Sequence, residues 1–336
     1  MVECIYDEIL KRSNIMAHQV ETMAYAGEVP WHGLGKKVIP DLTPEQMLEA
    51  AELDWNVEKR DVTYEGNNGE RKRASNKKAL VRTSDGSFLD MVSSEWNPLQ
   101  NSEAFAFFND FITAGDMEMH TAGSLENGRM VWALAKTKNG FDLFGGDEVD
   151  EYLLFTNPHK FGKSIGVQST PIRVVCNNTL SYALHTSTAT GAVRVNHRQE
   201  FDGDHVKEML GVSKEKLDTY KEVAEFLGSK RFTKDSLDGY FGTIFPSSTK
   251  KTIEDVEAPE DLFSRNHQTA LEVIEEQPGS EFAKGTFWQA FNTVTYMTDH
   301  VMGRSADTRM TSAWFGANRK NKIKALETAV EFAEAA

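Results

Sequence analysis

Between Trp55 and His197 apolar side chains recur at every second position, and the runs are broken by short glycine-bearing turns. A two-residue period puts alternate side chains on opposite faces of a strand, so this stretch must fold as antiparallel hairpins. Lys77 to Thr83 and Ser87 to Ser93 flank Ser84-Asp85-Gly86, and Met117 to Leu125 and Arg129 to Thr137 flank Glu126-Asn127-Gly128. Trp55, Val57, Val62 and Tyr64 lead into Gly66-Asn67-Asn68-Gly69, and Glu151 to Thr156 pairs with Ser164 to Gln168 across a longer loop. The expected product is one mainly antiparallel sheet.

One helix precedes this stretch and others interrupt it. Thr43-Pro44-Glu45-Gln46 supplies an N-cap, a proline at the first helical position and a capping-box glutamine, so a short helix is expected from about Pro44 to Leu53. Asn101 or Ser102 caps a second, whose Phe105, Phe107, Phe108, Phe111 and Ile112 form one wide face before Gly115. That face should pack on the sheet. The apolar run Ile172 to Cys176 reads as a buried strand entering a helix at Asn177 or Asn178, continuing through Leu180 and Leu184. From Phe201 onward the period becomes helical, over Phe201 to Leu227, Asp261 to Glu276, Gly285 to Met302 and Asn321 to Ala335. The fold class is therefore α+β: an irregular N-terminal segment (1–42), an antiparallel sheet with packed helices (43–200), and a helical region (201–336) with a mixed connector near 229–259.

With 336 residues, 40% of them hydrophobic, the chain can build a sizeable core in one large or two modest domains. No run approaches the roughly 18 to 20 apolar residues of a membrane span, and the first ten residues carry Glu3, Asp7 and Glu8 where a secretory leader would be basic. A cytoplasmic protein with no membrane partner is expected. The two cysteines, Cys4 and Cys176, have no CxxC or Cys/His spacing suited to zinc, and Cys176 reads as a small buried hydrophobe.

The formal net charge of −14 excludes a protein that coats nucleic acid with its whole surface, but the charge is unevenly spread. From Tyr152 to Gln199 there is no Asp or Glu, where the chain-wide frequency would place about seven. The window holds Lys160, Lys163, Arg173, Arg194 and Arg198, together with His159, His185 and His197. After Asp299 a second basic stretch carries Arg304, Arg309, Arg319, Lys320, Lys322 and Lys324 against Asp307 alone before Glu327.

No P-loop, dinucleotide fingerprint, GxSxG or HExxH motif is present, so no catalytic residue, metal ligand or cofactor is assigned. Gly162-Lys163-Ser164 has the tail of a phosphate loop without the glycine five positions earlier. His32, between Trp31 and Gly33, reads as a loop histidine held by backbone groups. The acid pairs Asp147 with Asp150 and Glu275 with Glu276 read as solvated faces. Trp288, Asn292, Tyr296 and Asp299 or His300 share one helical stripe. A polar network bracing helix contacts explains the stripe, and the functional alternative is an anion pocket of His300, Arg304 and Arg309.

Longer phrases carry a family resemblance: Pro30-Trp-His-Gly-Leu-Gly35, Asn97-Pro-Leu-Gln-Asn101, Thr121-Ala-Gly-Ser124 with Arg129-Met-Val-Trp-Ala-Leu-Ala135, Thr170 to Leu180, and Gly285-Thr-Phe-Trp-Gln-Ala-Phe-Asn292. In order, from about Met16 to Phe332, the chain resembles the phage/plasmid-like proteins grouped as domain of unknown function 932. The resemblance implies a setting in phages, prophages and conjugative plasmids, and implies no settled activity. Where it leads one to expect an acidic residue after the histidine, as in Asn-Ser-His-Asp-Gly, this chain has Asn157-Pro-His-Lys-Phe-Gly162, which argues against a metal at that loop.

Two functions of different class follow. A sheet with exposed aromatics and a basic track stacks bases and neutralises phosphates, and Tyr152, Phe155, Phe161 and Tyr182 interleave with the cations of the acid-free window, which points to binding or annealing of single-stranded DNA by Lys160, Lys163, Arg173, Arg194, Arg198, Phe161 and His159. Hairpins followed by a packed helix also look like the core of phage single-strand annealing proteins, an analogy of architecture alone. The alternative is a protein-binding inhibitor of a host defence factor that uses the net negative charge as a nucleic-acid mimic, with an unrecognised nucleotide- or phosphodiester-processing enzyme third. A homo-oligomer is compatible with each.

Overall fold

A computed structural model of the chain describes residues 20–27, 35–173, 178–179, 192–211, 214–247, 263–303, 305, 309, 312 and 316–336. Two compact units emerge. The first comprises residues 1–138, 152–169 and 191–212, and the second 139–151, 170–190 and 213–336. The chain is α+β, mostly antiparallel in its sheets and helical towards its C-terminus.

Eleven strands are described: β1 (Val20–Ala26), β2 (Lys36–Val38), β3 (Val57–Glu65), β4 (Arg71–Arg82), β5 (Phe88–Ser93), β6 (Met117–Leu125), β7 (Met130–Leu143), β8 (Asp147–Pro158), β9 (Ile165–Arg173), β10 (Asn178–Thr179) and β11 (Ala192–Val195). They form two sheets where the alternation pattern predicts one. An eight-stranded sheet runs β10-β9-β8-β7-β6-β1-β2 with β11 also on β9, and β3-β4-β5 form a separate three-stranded sheet. Periodicity dictates strands and hairpins, but the choice of partner between hairpins lies in packing.

The N-terminal segment expected to be irregular contributes β1 to the interior of the large sheet, antiparallel to β6 and parallel to β2. Its register shifts between Val20 and Thr22, and that irregularity disguises the strand period. Gly123 faces this strand at close range: a Cβ there would lie 2.5 Å from the Thr22 carbonyl oxygen. The helix expected from Asn177 or Asn178 is not found at its start, because Asn178–Thr179 is strand paired with Arg173 and Ile172; Leu180 and Leu184 lie outside the described residues. His32 and His185 lie outside them as well.

In the first unit, helix α1 (Pro44–Ala50) has the predicted capping box: Thr43 Oγ1 accepts from the Gln46 amide at 3.2 Å and Gln46 Oε1 accepts from the Thr43 amide at 2.9 Å. The phenylalanine-rich helix breaks into α2 (Asn101–Ala106) and α3 (Asn109–Thr113), followed by Gly115 at φ +70°. Phe105, Phe107 and Phe108 pack with Phe155, Ala122 and Ala133 of the sheet in one core, as the wide apolar face predicts. The N-cap of α2 is Gln100, not Asn101 or Ser102. Asn101 is drawn into the core, where burial demands partners for its amide.

In the second unit the expected helices appear with altered ends: α4 (Gly203–Gly211) stays with the first unit, and α5 (Lys214–Ser229), α6 (Lys234–Ile244), α7 (Arg265–Val273), α8 (Phe287–Tyr296) and α9 (Ala317–Glu334) build the second. α6 falls within the predicted connector. Every residue of α8 from Phe287 to Thr295 is buried, and α9 presents the small stripe Ala325, Ala329 and Ala333 to the same core. Asp147, read as a surface acid, is fully buried and accepts from Trp288 Nε1 at 3.0 Å, so the Asn139–Glu151 hairpin is pinned to α8.

A π turn, Met297–Val301, follows α8 and carries Asp299, which meets Lys322 of α9 at 2.9 Å with both side chains 0% exposed. Burial depresses the Lys322 pKa and the Asp299 carboxylate opposes that shift. The helical stripe from Trp288 thus includes a network that braces helices. Removing one partner leaves an uncompensated charge in the core, so Asp299→Ala should cost about 3 to 5 kcal/mol in urea unfolding followed by circular dichroism. The double variant Asp299→Leu with Lys322→Met should recover most of that loss. Equal losses in the single and the double variant would contradict this.

Candidate nucleic-acid interface

The first unit holds its β8–β9 turn on a buried polar network. Asn101 Nδ2 donates to the Leu53 carbonyl at 3.0 Å and approaches the Trp55 carbonyl at 3.4 Å. Asn101 Oδ1 accepts from Asn157 Nδ2 at 3.3 Å and from His159 Nε2 at 3.0 Å, and Asn157 also donates to the Leu99 carbonyl at 2.9 Å. The side-chain amide of Gln100 completes the anchor like a rung of β-ladder, accepting from the Val57 amide at 2.8 Å and donating to its carbonyl at 3.0 Å. Sequence phrases 97–101 and 157–162 therefore meet in space.

His159 is wholly buried, edge-on to Trp55 at 5.4 Å, and burial pushes its pKa down to about 3, with neighbouring His197 adding to the shift. His197 stacks on Trp96 at 4.0 Å, with Nδ1 3.1 Å from the Asn97 carbonyl; burial lowers its pKa to about 4, against the raising effect of the Asn97 and Pro158 carbonyls. Both rings are neutral at pH 7. His159 thus lies in the core beneath the turn and exposes none of its ring; Tyr152 and Phe155 of β8 are buried as well, and Tyr182 lies outside the described residues.

Beyond His159 the chain turns outward. Its amide donates to the Arg129 carbonyl at 2.9 Å, the Phe161 amide donates to Asp90 Oδ2 at 2.9 Å, and Gly162 adopts φ +73°. Asp90 also pairs with Arg129 at 3.2 Å. The Phe161 ring is consequently held 58% exposed on a backbone fixed at both sides, with Lys77 Nζ 5.5 Å from its centroid.

Lys77 belongs to β4, whose twelve residues carry six cations and no acid. The register places Lys77 opposite Ser93, Ala79 opposite Met91 and Arg60, and Val81 opposite Phe88 and Glu58. Directly opposed residues share a face, so Lys77, Arg60, Met91 and Phe88 lie together on the outer face of the small sheet. Phe88 is 61% and Met91 42% exposed. These residues lie outside the acid-free window; pairing register turns Asp61 and Asp90 to the other face, while Glu58, opposite Val81, stays on this one and pairs with Arg60.

The predicted cations divide. Lys163 and Arg194 are exposed and make no ion pair among the described residues, and Arg194 sits beside Gly166, three positions on from Lys163. Arg198 is exposed, 3.9 Å from Glu95. Lys160 is half-buried and paired with Glu126 at 2.6 Å, so its charge is matched locally. Arg173 belongs to the second unit, through β9, and its side chain is outside the description. In that unit His300 stacks on Tyr296 at 4.9 Å and Arg309 Nη1 donates to the Gly303 carbonyl at 3.4 Å, while Arg304 lies outside the described residues. Among the described residues no cluster of three or more His, Cys, Asp or Glu side chains could hold a metal, and no helix is long and apolar enough to cross a membrane.

The buried histidines predict acid sensitivity. Their folded pKa values lie below the ordinary 6.5. An unfolded chain therefore takes up protons first, so the stability they contribute is full above about pH 6.5 and is lost as pH falls towards 4 and 3. The slope is at most about 1.4 kcal/mol per pH unit for each ring. Between about pH 6.5 and about pH 5, before most carboxylates titrate, His159→Gln should flatten the unfolding free energy by about half of that slope pair. Parallel wild-type and variant curves in urea titrations would contradict the assignment.

No curated protein and no solved structure matches this chain. A family model does: the one described as Domain of unknown function (DUF932) matches residues 88–318, which run from β5 into α9 and include Asn101, Asn157, His159 and the Phe161 turn. More than half of the chain is covered, and the protein belongs to the DUF932 family.

Proposed function

We propose that this protein binds single-stranded nucleic acid, and single-stranded DNA first, on the outer face of β3-β4-β5 and the adjoining Lys160–Lys163 turn. The observation that carries this reading is Phe161: a large aromatic ring held 58% exposed by backbone hydrogen bonds, with the Lys77 ammonium 5.5 Å from its centroid. An exposed ring stacks on any base, and a cation beside it meets the phosphate joining that base to the next. Phe88, on the face it shares with Lys77, supplies a further stacking surface. Lys163 and Arg194 supply charge that no neighbouring carboxylate cancels among the described residues.

Such a surface reads the backbone and the π-faces of bases, not sequence, which suits binding or annealing of displaced strands. The resemblance to phage/plasmid-like proteins gives the reading its setting: the cytoplasm of a cell carrying a mobile genetic element. The net charge of −14 limits the contact to a local patch, so few phosphates are neutralised and affinity should fall with salt by a modest slope, roughly 0.7 per contacting cation.

The test separates the two kinds of contact. In fluorescence-anisotropy titrations with a labelled oligothymidylate at several salt concentrations, Phe161→Ala should lose about 1 to 3 kcal/mol with an unchanged salt slope. Lys77→Ala, Lys163→Ala and Arg194→Ala should each reduce the slope by roughly 0.7. Wild-type affinity and slope in Phe161→Ala and Lys163→Ala would overturn the proposal.

A further inference from the structure

A groove of about 1070 Å³ opens in the first unit between the Asn97–Leu99 segment, α2 and the start of α4. Its floor is aromatic and aliphatic: Phe107 and Phe201 lie 6.1 Å apart beside Leu99 and Ile165. Its rim is acidic. Glu103, Glu200, Asp202 and Asp204 line it against the single cation Lys207, which is already engaged by Asp110 at 2.5 Å and Asp204 at 3.2 Å. A polyanion is repelled from such a rim. The occupant it fits is an apolar surface ringed by cations.

The same unit carries such a surface. Of the five large hydrophobics exposed among its described residues, Phe88, Met91, Tyr64 and Phe161 lie on the three-stranded sheet or the turn beside it, with Ile39 the exception. Lys77 and Lys163, next to them, have no ion-pair partner among the described residues. Two copies that each carry −14 repel at any random encounter, so a contact that sets the basic patch of one against the acidic groove of the other is electrostatically distinguished from the rest. We propose that the groove docks the basic aromatic patch of a second copy of this chain. The contact is heterologous, patch to groove, so each copy retains one unused half unless the arrangement closes on itself. The proposal does not rest on nucleic-acid binding and is tested in its absence.

The experiment is sedimentation equilibrium of the nuclease-treated full chain. At roughly 50 mM salt the weight-average mass should exceed 37.7 kDa and climb with concentration, and at roughly 500 mM salt the association should weaken about tenfold or more. Glu200→Lys with Asp204→Lys reverses the groove, and Lys77→Glu with Lys163→Glu reverses the patch. Each double variant alone should stay monomeric, because like charges then face each other. Mixed in equal amounts they should associate again, since the reversed groove meets the reversed patch and the two native surfaces also match. Restored association shows in addition that both variants fold. A monomeric wild type at low salt, association that persists in either variant alone, or a mixture that stays monomeric would each overturn the proposal.

Discussion

The side chain of Asn101 holds the first unit together at its most consequential point. It lies at the start of α2 yet turns inward, and one carboxamide serves the carbonyls after α1 and the ends of Asn157 and His159 at once. A buried carboxamide that lost these partners would leave several backbone and side-chain groups unsatisfied, each worth about 1 to 3 kcal/mol. The network therefore fixes the end of β8 against α2. Because the network fixes the position of His159, the next few residues leave the core at a set angle, and Phe161 is presented to solvent on a hydrogen-bonded backbone.

Neutrality is the second constraint. His159 and His197 sit where a charge is expensive, so the ground beneath the exposed turn carries no positive charge at pH 7, and the cations of the patch are those of the surface: Lys77, Lys163 and Arg194. Asp90 and Glu126 neutralise Arg129 and Lys160 within the scaffold. A basic composition along the sequence is in this way sorted into cations that hold the turn and cations that make no ion pair among the described residues. The buried Lys322–Asp299 pair of the second unit follows the same economy, with the charge confined to a contact between a π turn and a helix.

Much of this was legible in residues read locally. The capping box at Thr43, the turns at Gly86 and Gly128 and the phenylalanine face after Asn101 follow from spacing, because caps and turns are short-range chemistry. What escaped depends on partners distant in sequence. β1 is hidden by its register shift, the split into two sheets is decided by packing, and Asn101 and Asp147 look like a cap and a surface acid until their buried partners are known. The candidate interface was half legible for the same reason. Phe161 and Lys163 stand out in an acid-free window, whereas Lys77, Phe88 and Met91 come together only when strand register sorts their faces.

The claim that a nucleic-acid strand lies across Phe161 is tested most directly by photocrosslinking. A single-stranded oligonucleotide carrying photoreactive thymidine analogues is irradiated with the protein, and the modified peptides are located by mass spectrometry. A stacked base sits in van der Waals contact with the ring beneath it, so the account predicts adducts on Phe161 or its immediate neighbours in the Lys160–Lys163 turn, with further adducts on β5. Efficient crosslinking confined to the helices of the second unit, or none at concentrations where the strand is bound, would contradict it.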